Sequence, residues 1–446
     1  MTDLARSLRA SFALLGERDD RRDGRIRPLR EAAFARFAEL GLPTTQDEEW
    51  KYTSLAPLAQ VQFEPAAEAK LHEPSLEQLD RLAGGEPGDG AVRLVFVDGH
   101  HRPELSSRAA SSGGAFIGSL AAALAERPEL VERELARHAD YQRDALIALN
   151  TAFIEDGAFI DLPAGVVLQA PIYLLFVSTA AGKATVLQPR NLIVAGAGSQ
   201  ATVVETYAGI ADEVYLTNAV TEVVLGKGAR LDHYKLQEES ARAFHIALLQ
   251  VHHGRNSRFT SHSVALGAAL ARNEVRALLA SEGSECTLNG LYMATGKQHL
   301  DNRTLIDHQS PRCTSRELYK GVLAGHSRGV FSGRVLVQKD AQKTDASQTN
   351  RNLLLSEDAL VNTKPQLEIF ADDVKCAHGA AVGQLDEDAL FYLRSRGLGR
   401  EAARSLLTYA FASEMVNLIP LGPLRARVRE LVTSRLPEWE KLKEAA

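Results

Sequence analysis

The sequence predicts a mainly β chain, a parallel β-helix flanked by N-terminal and C-terminal α-helical regions. Three observations carry this. Between Gly157 and Leu385, short runs rich in Val, Leu, Ile and Thr alternate with Gly-centred turns, and helix-length periodic segments are few. Laying turn on turn aligns Ala201, Leu231, Phe259, Cys286 and Cys313, at intervals of 30, 28, 27 and 27 residues. The aligned column is small or apolar throughout, as an inward-facing stack requires. A period near 28 with a turn and two short strands suits a solenoid, because each coil buries its apolar side chains only against its neighbours. The chain divides into a mostly helical region over 1–156, a β-helix core over 157–380 and a helical region over 381–446.

The N-terminal region opens with a helical pattern from Asp3 to about Leu40, in which Leu29, Ala33, Phe37 and Leu40 share one face. Gly41 and Pro43 stop it. Asp47-Glu48-Glu49-Trp50-Lys51-Tyr52 reads as a packed turn. Residues 60–90, rich in Glu, Ala, Pro and Gly, read as a connector. Val92–Val97 before Asp98-Gly99 reads as a strand entering a turn. Helical patterns resume from Ser119 to about Ile154.

After Leu385 Asp386 can cap a helix, with Glu387 and Asp388 in its first turn, Arg394 and Arg396 near its end and Gly397 at its exit. A second helix from about Arg400 carries Leu406, Leu407, Ala410, Phe411, Met415 and Leu418 before Pro420. Pro423 can start a third, with Val428, Leu431, Val432 and Leu436 inside.

A chain of 446 residues exceeds a usual single core, which agrees with an elongated repeat fold. A formal charge of −6 gives no reason to expect a polyanion-binding surface, so nucleic acid is not expected as a main partner. Three cysteines, 286, 313 and 376, suit a reducing compartment rather than a disulfide scaffold. The first residues lack a long apolar core, and no run of about 18 apolar residues occurs, so a cytoplasmic chain without membrane insertion is expected.

Cys376 and His378 are the sharpest chemical candidates. Alternate residues of an extended segment point to one side, so the pair can present a thiol and an imidazole together to iron or zinc. Two ligands do not close a site, and a structural loop is the other reading. Cys286 and Cys313, with His299 and His308 between them, read as core, since a packed free thiol behaves as a small hydrophobe. His252 and His253 point to opposite faces of a strand. Gly325-His326-Ser327-Arg328-Gly329 fits a hydrolase nucleophile pattern, but a strand follows where a helix is needed. Gly296-Lys297 lacks phosphate-loop spacing, so no nucleotide is expected on this chain. The polar run from Gln338 to Asn350 reads as a solvated flank. Phe391, Tyr392 and Leu393 are consecutive and cannot all face one core; the C-terminal helices either pack against the end of the β-helix or dock a partner.

The segments PQLEIFADDVKCAHGA (365–380) and LDEDALFYLRSRGL (385–398) resemble the SufB/SufD family of iron–sulfur cluster assembly scaffold subunits, on its SufD side. The resemblance extends through DEEWKYTSL (47–55), NTAFIEDGAFIDLPAG (150–165) and residues 325–356, and so covers most of the chain. It implies a right-handed β-helix and a non-enzymatic role. It further implies a SufB partner with which His378, and less securely Cys376, shares a transient iron–sulfur cluster. The ABC-type ATPase SufC would dock on the C-terminal helices, around Phe391, Tyr392, Arg396, Gly397 and Phe411. The polar run would lie toward SufB, and a homodimer in isolation is a further expectation. SufB itself, which shares the FYL-x-SRG segment, and a β-helix carbohydrate enzyme are the competing readings; the KCAHG sequence favours SufD, and the missing secretion signal disfavours the carbohydrate enzyme.

Overall fold

The computed structural model describes residues 8–9, 11–13, 15, 24–65, 73–86, 88–107, 113–179, 184–440 and 442. The start of the first expected helix, from Asp3, lies outside the described residues. Each coil contributes one strand to each of two sheets. The first sheet runs from Leu360–Ile369 back through Arg328–Val337, His299–His308, Leu270–Leu279, Phe244–His253, Tyr215–Leu225, Arg190–Ala195 and Ala158–Leu162. The second runs from Lys375–Gly383 through Asp345–Leu354, Thr314–Leu323, Glu285–Ala294, Arg258–Ala265, Arg230–Glu238, Gln200–Gly209 and Ile172–Ser178 to Val92–Val97. Neighbours within these runs pair in parallel, giving a β-solenoid of about eight turns over residues 159–383. Among the described residues, antiparallel pieces, Phe116–Ser119 and His100–His101, occur only at the N-terminal end.

The stacked interior column is real but its fifth member is not Cys313. Register pairs Ala201 with Leu231, Leu231 with Phe259 and Phe259 with Cys286, and then Cys286 with Ser315, Ser315 with Ala346 and Ala346 with Cys376. Cys313 is fully buried two residues earlier, in the turn, where its Sγ donates to Ser281 O at 3.3 Å. An even offset preserves the side to which a side chain points, which is why a turn residue looked like a member of the column. Both thiols belong to the core running between the sheets.

Parallel sheets need cover on both faces. The outer face of the first sheet is covered by the N-terminal region. Helix Arg27–Leu40 buries Ala33 and Phe37 there, while Leu40 at its end is exposed. Trp50 is a packed turn residue as expected: the Arg272 guanidinium lies 3.7 Å from its ring centroid, and Arg272 also donates to Glu49 O and to Asp301. Thr53 donates to Asp301 at 2.7 Å, and Glu48 pairs with Lys364 on the last strand. The expected connector over 60–90 contains a helix, Leu76–Ala83, fixed by a reciprocal capping box between Ser75 and Gln78. Val92–Val97 does enter a tight turn, with Asp98 and Gly99 at φ 48° and 85°. The helical stretch after Ser119 is three short helices, Leu120–Glu126, Pro128–Glu134 and Ala145–Ala152.

The C-terminal helices cover the outer face of the second sheet rather than the end of the solenoid. Asp386 caps Glu387–Ser395 by accepting from the amides of Asp388 and Ala389, and Gly397 takes the left-handed exit at φ 95°. Arg400–Asn417 buries Ala403, Thr408, Ala412, Met415 and Val416, whereas Ala410 and Leu418 face out. The expected face is rotated because small residues let this helix approach the sheet closely, while larger Leu side chains flank the contact. Gly422–Thr433 buries Val428, Leu431 and Val432, with Leu436 just beyond.

Candidate functional site at the open end of the solenoid

The last coil differs from every coil before it. Leu360–Ile369 and Lys375–Gly383 are the terminal strands of their sheets, each paired on one edge only. Pro365, which lacks an amide to donate, sits in the first of these strands, where an edge position tolerates it. Ile369 and Val382, whose register partners Val337 and Asn352 one coil below are buried, are here open, and Leu360 and Phe370 are exposed beside them.

Cys376, His378, Ala380 and Val382 alternate along Lys375–Gly383 and share a face. Their register partners one coil below are Ala346, Gln348, Asn350 and Asn352, all buried. Below those lie Ser315, Glu317, Tyr319 and Gly321. Cys376 and His378 therefore occupy interior columns at the point where the interior meets solvent. His378 is exposed, and Cys376 is half-buried against the cluster of Val335, Val337, Ala341, Ala346 and Ala371. Partial burial pushes the Cys376 thiol up, opposed by a hydrogen bond from the Ala346 backbone. A metal ligand here would have to shed that proton. Among the described residues no group of three or more His, Cys, Asp and Glu is arranged to hold a metal ion. At this end the chain offers two donors side by side.

Beneath His378 the column is polar. Gln348 Nε2 donates to Glu317 Oε2 at 2.7 Å, and burial raises the Glu317 carboxyl to about 7. Asn350 donates to Tyr319 O at 3.2 Å, and Asn352 donates to Asn350 Oδ1 at 2.6 Å. The polar run from Gln338 to Asn350 is thus a solvated flank only in part: Lys339, Asp340 and Lys343 are exposed as expected. Gln348 and Asn350 are buried, because alternation turns every second strand residue inward to partners in the coil below, and Thr344 is buried in the preceding turn, where it donates to Ala341 O. Gln348 and Glu317 carried no obvious signal, but counting back one and two periods from His378 reaches both.

The other candidates separate cleanly. His299 bonds Thr53 and His308 bonds Ser315, so neither joins Cys286 or Cys313. His253 is buried beside Ser257, while His252 points the other way, toward the His138 ring. Ser327 is buried and donates to Ala294 O, and strand Arg328–Val337 follows it. Phe391 and Tyr392 are 72% and 57% exposed, and Arg396 lies over the Tyr392 ring. Phe411 is half-buried, with the Lys320 ammonium 4.4 Å from its ring centroid. No helix among the described residues is long and apolar enough to cross a membrane.

Residues 176–411 match the SufBD core domain of SUF-system iron–sulfur cluster assembly, and residues 20–174 match the SufBD protein N-terminal region. An iron–sulfur cluster assembly SufBD family protein of Synechocystis is 36% identical over 414 residues, covering 91% of this chain and 90% of the relative. The iron–sulfur cluster assembly protein SufD of Escherichia coli is 33% identical, covering 92% and 93%. A chloroplastic protein of Arabidopsis thaliana is 31% identical, covering 92% and 86%. With both domains matched in order along a solenoid that ends in an open coil, the chain belongs to the SufBD family of the SUF iron–sulfur cluster assembly system.

Proposed function

We propose that this chain is the SufD-like scaffold subunit of its SUF complex, pairing end to end with a SufB-type solenoid and holding the ATPase SufC on its C-terminal helices. The observation that carries the reading is the open last coil, with two unpaired strand edges and an exposed imidazole beside a half-buried thiol. A solenoid ordinarily closes its ends with a capping element. Exposed strand edges invite strand addition from another chain, and the apolar side chains of Leu360, Ile369, Phe370 and Val382 favour burial.

The cluster is cargo in this reading. His378, with Cys376 beside it, offers two donors, and tetrahedral iron needs further ones, which the partner would bring across the junction. Nucleotide hydrolysis belongs to the ATPase. Phe391, Tyr392, Arg396 and Gly397, on and just after a helix with only Leu390 buried, form its docking edge, together with Phe411 on the next helix. Movement of the ATPase pair would be transmitted to the solenoid through Arg400–Asn417, which packs on Glu285–Ala294 and Thr314–Leu323.

Co-expression with the neighbouring genes tests this. The tagged chain should bring down a β-helix paralogue and an ABC-type ATPase. Recovery of the chain alone, or as a homodimer in the presence of both, would refute the reading.

A further inference from the structure

In the column that ends at His378, a polar atom of the residue next below it is buried with nothing to bond. Gln348 is 1% exposed and lies one coil below His378, in parallel register with it. Its Nε2 is committed to Glu317, its register partner in the next coil down. Its Oε1 has no hydrogen-bond partner. An amide whose nitrogen is pinned toward a carboxylate presents its oxygen elsewhere on the same plane, away from that carboxylate. Nor can the amide swing aside freely: it fills space across the interior that a Cβ on Gly333 would occupy.

Neighbouring strands lie about 4.8 Å apart, so side chains stacked in register are within hydrogen-bonding reach of one another. An imidazole that binds metal uses one nitrogen, and the hydrogen bond at the other nitrogen fixes which one is free. We propose that Gln348 is a positioning residue for His378: its unused carbonyl accepts the imidazole N–H, so that the lone pair of the other ring nitrogen is aimed out of the open coil. This rests on the reading of His378 as a cluster donor. Glu317 acts one step further back, by holding the amide in the orientation that frees its oxygen. An exposed histidine is thereby made directional by residues sealed inside the solenoid.

The test is the tautomer of His378 in the isolated full chain, read by long-range proton–nitrogen correlation of the imidazole ring and assigned by the signal lost in His378→Ala. The native chain should favour one tautomer by about tenfold more than Gln348→Met, which keeps the shape and removes the acceptor. Exchanging the pair, Glu317→Gln with Gln348→Glu, keeps a donor on one residue and an acceptor on the other, and should restore the native tautomer. An unchanged tautomer in folded Gln348→Met overturns the proposal. Should that variant fail to fold, loss of the native tautomer in the exchanged pair overturns it instead. The two levels fail separately: full cluster formation by His378→Ala removes the donor reading, whereas an inactive His378→Ala alongside an unmoved tautomer removes only the role of Gln348.

Discussion

Cys286 and Cys376 stand in one interior column, three coils apart, linked through Ser315 and Ala346. The first is sealed at 1% exposure and the second is half-open, so one stacking position serves as core filling in one coil and as a candidate ligand in the last.

Thiol labelling should read this difference. In the native chain an aromatic disulfide reagent should modify Cys376 alone, slowly at neutral pH because burial raises its thiol, while Cys286 and Cys313 react only on unfolding. Stoichiometry near one per chain before denaturation, and three after, is the expected count.

His378→Ala removes an exposed side chain and should change stability by no more than about 0.5 kcal/mol. Cluster formation on the assembled complex should fall sharply while the complex itself persists. Thermal melts, gel filtration and the visible absorbance of reconstituted iron–sulfur protein check the three parts.

Glu317 gives a pH signature. Burial raises its carboxyl from 4.5 to about 7 in the folded chain, so the folded state holds its proton more tightly than the unfolded state. Its contribution is therefore fully present below pH 4.5 and is lost as pH rises to about 7. Glu317→Gln removes the titration. Its stability relative to the native chain should rise across that window by about 3 kcal/mol at most, read from denaturant midpoints.

Arg190 and Glu222 form a fully buried pair, with Nη2 to Oε2 at 2.6 Å. Glu222 also accepts from the amides of Ala136, His138 and Ala139, tying the N-terminal region to the first sheet. Glu222→Ala strands a buried guanidinium and should cost about 3–5 kcal/mol in equilibrium unfolding.

Phe391→Ala should leave the melting temperature unchanged, since the ring is 72% exposed, and weaken capture of the ATPase by about tenfold or more. Retention of native affinity would move the docking site off this helix.

The solenoid was legible because its period is written in glycine turns and in small or apolar inward positions such as Ala201 and Phe259. The column slipped at Cys313 because coil length varies: from Cys286 the next inward residue is Ser315, not Cys313. Propensity missed Leu76–Ala83, whose existence rests on a cap and on packing rather than on a long periodic run. The candidate site was half legible. Cys376 and His378 stood out as rare residue types at alternate spacing, whereas Gln348 looked like surface because polarity alone does not say which side of a strand a residue faces.

The most direct test is amide hydrogen exchange of Lys375–Gly383 in the isolated chain and in complex with the SufB-type partner. Pairing of the open coil predicts that these amides, together with those of Leu360–Ile369, become protected on complex formation while the sealed coils below barely change. A complex that forms with this strand exchanging as fast as in the free chain would contradict the account.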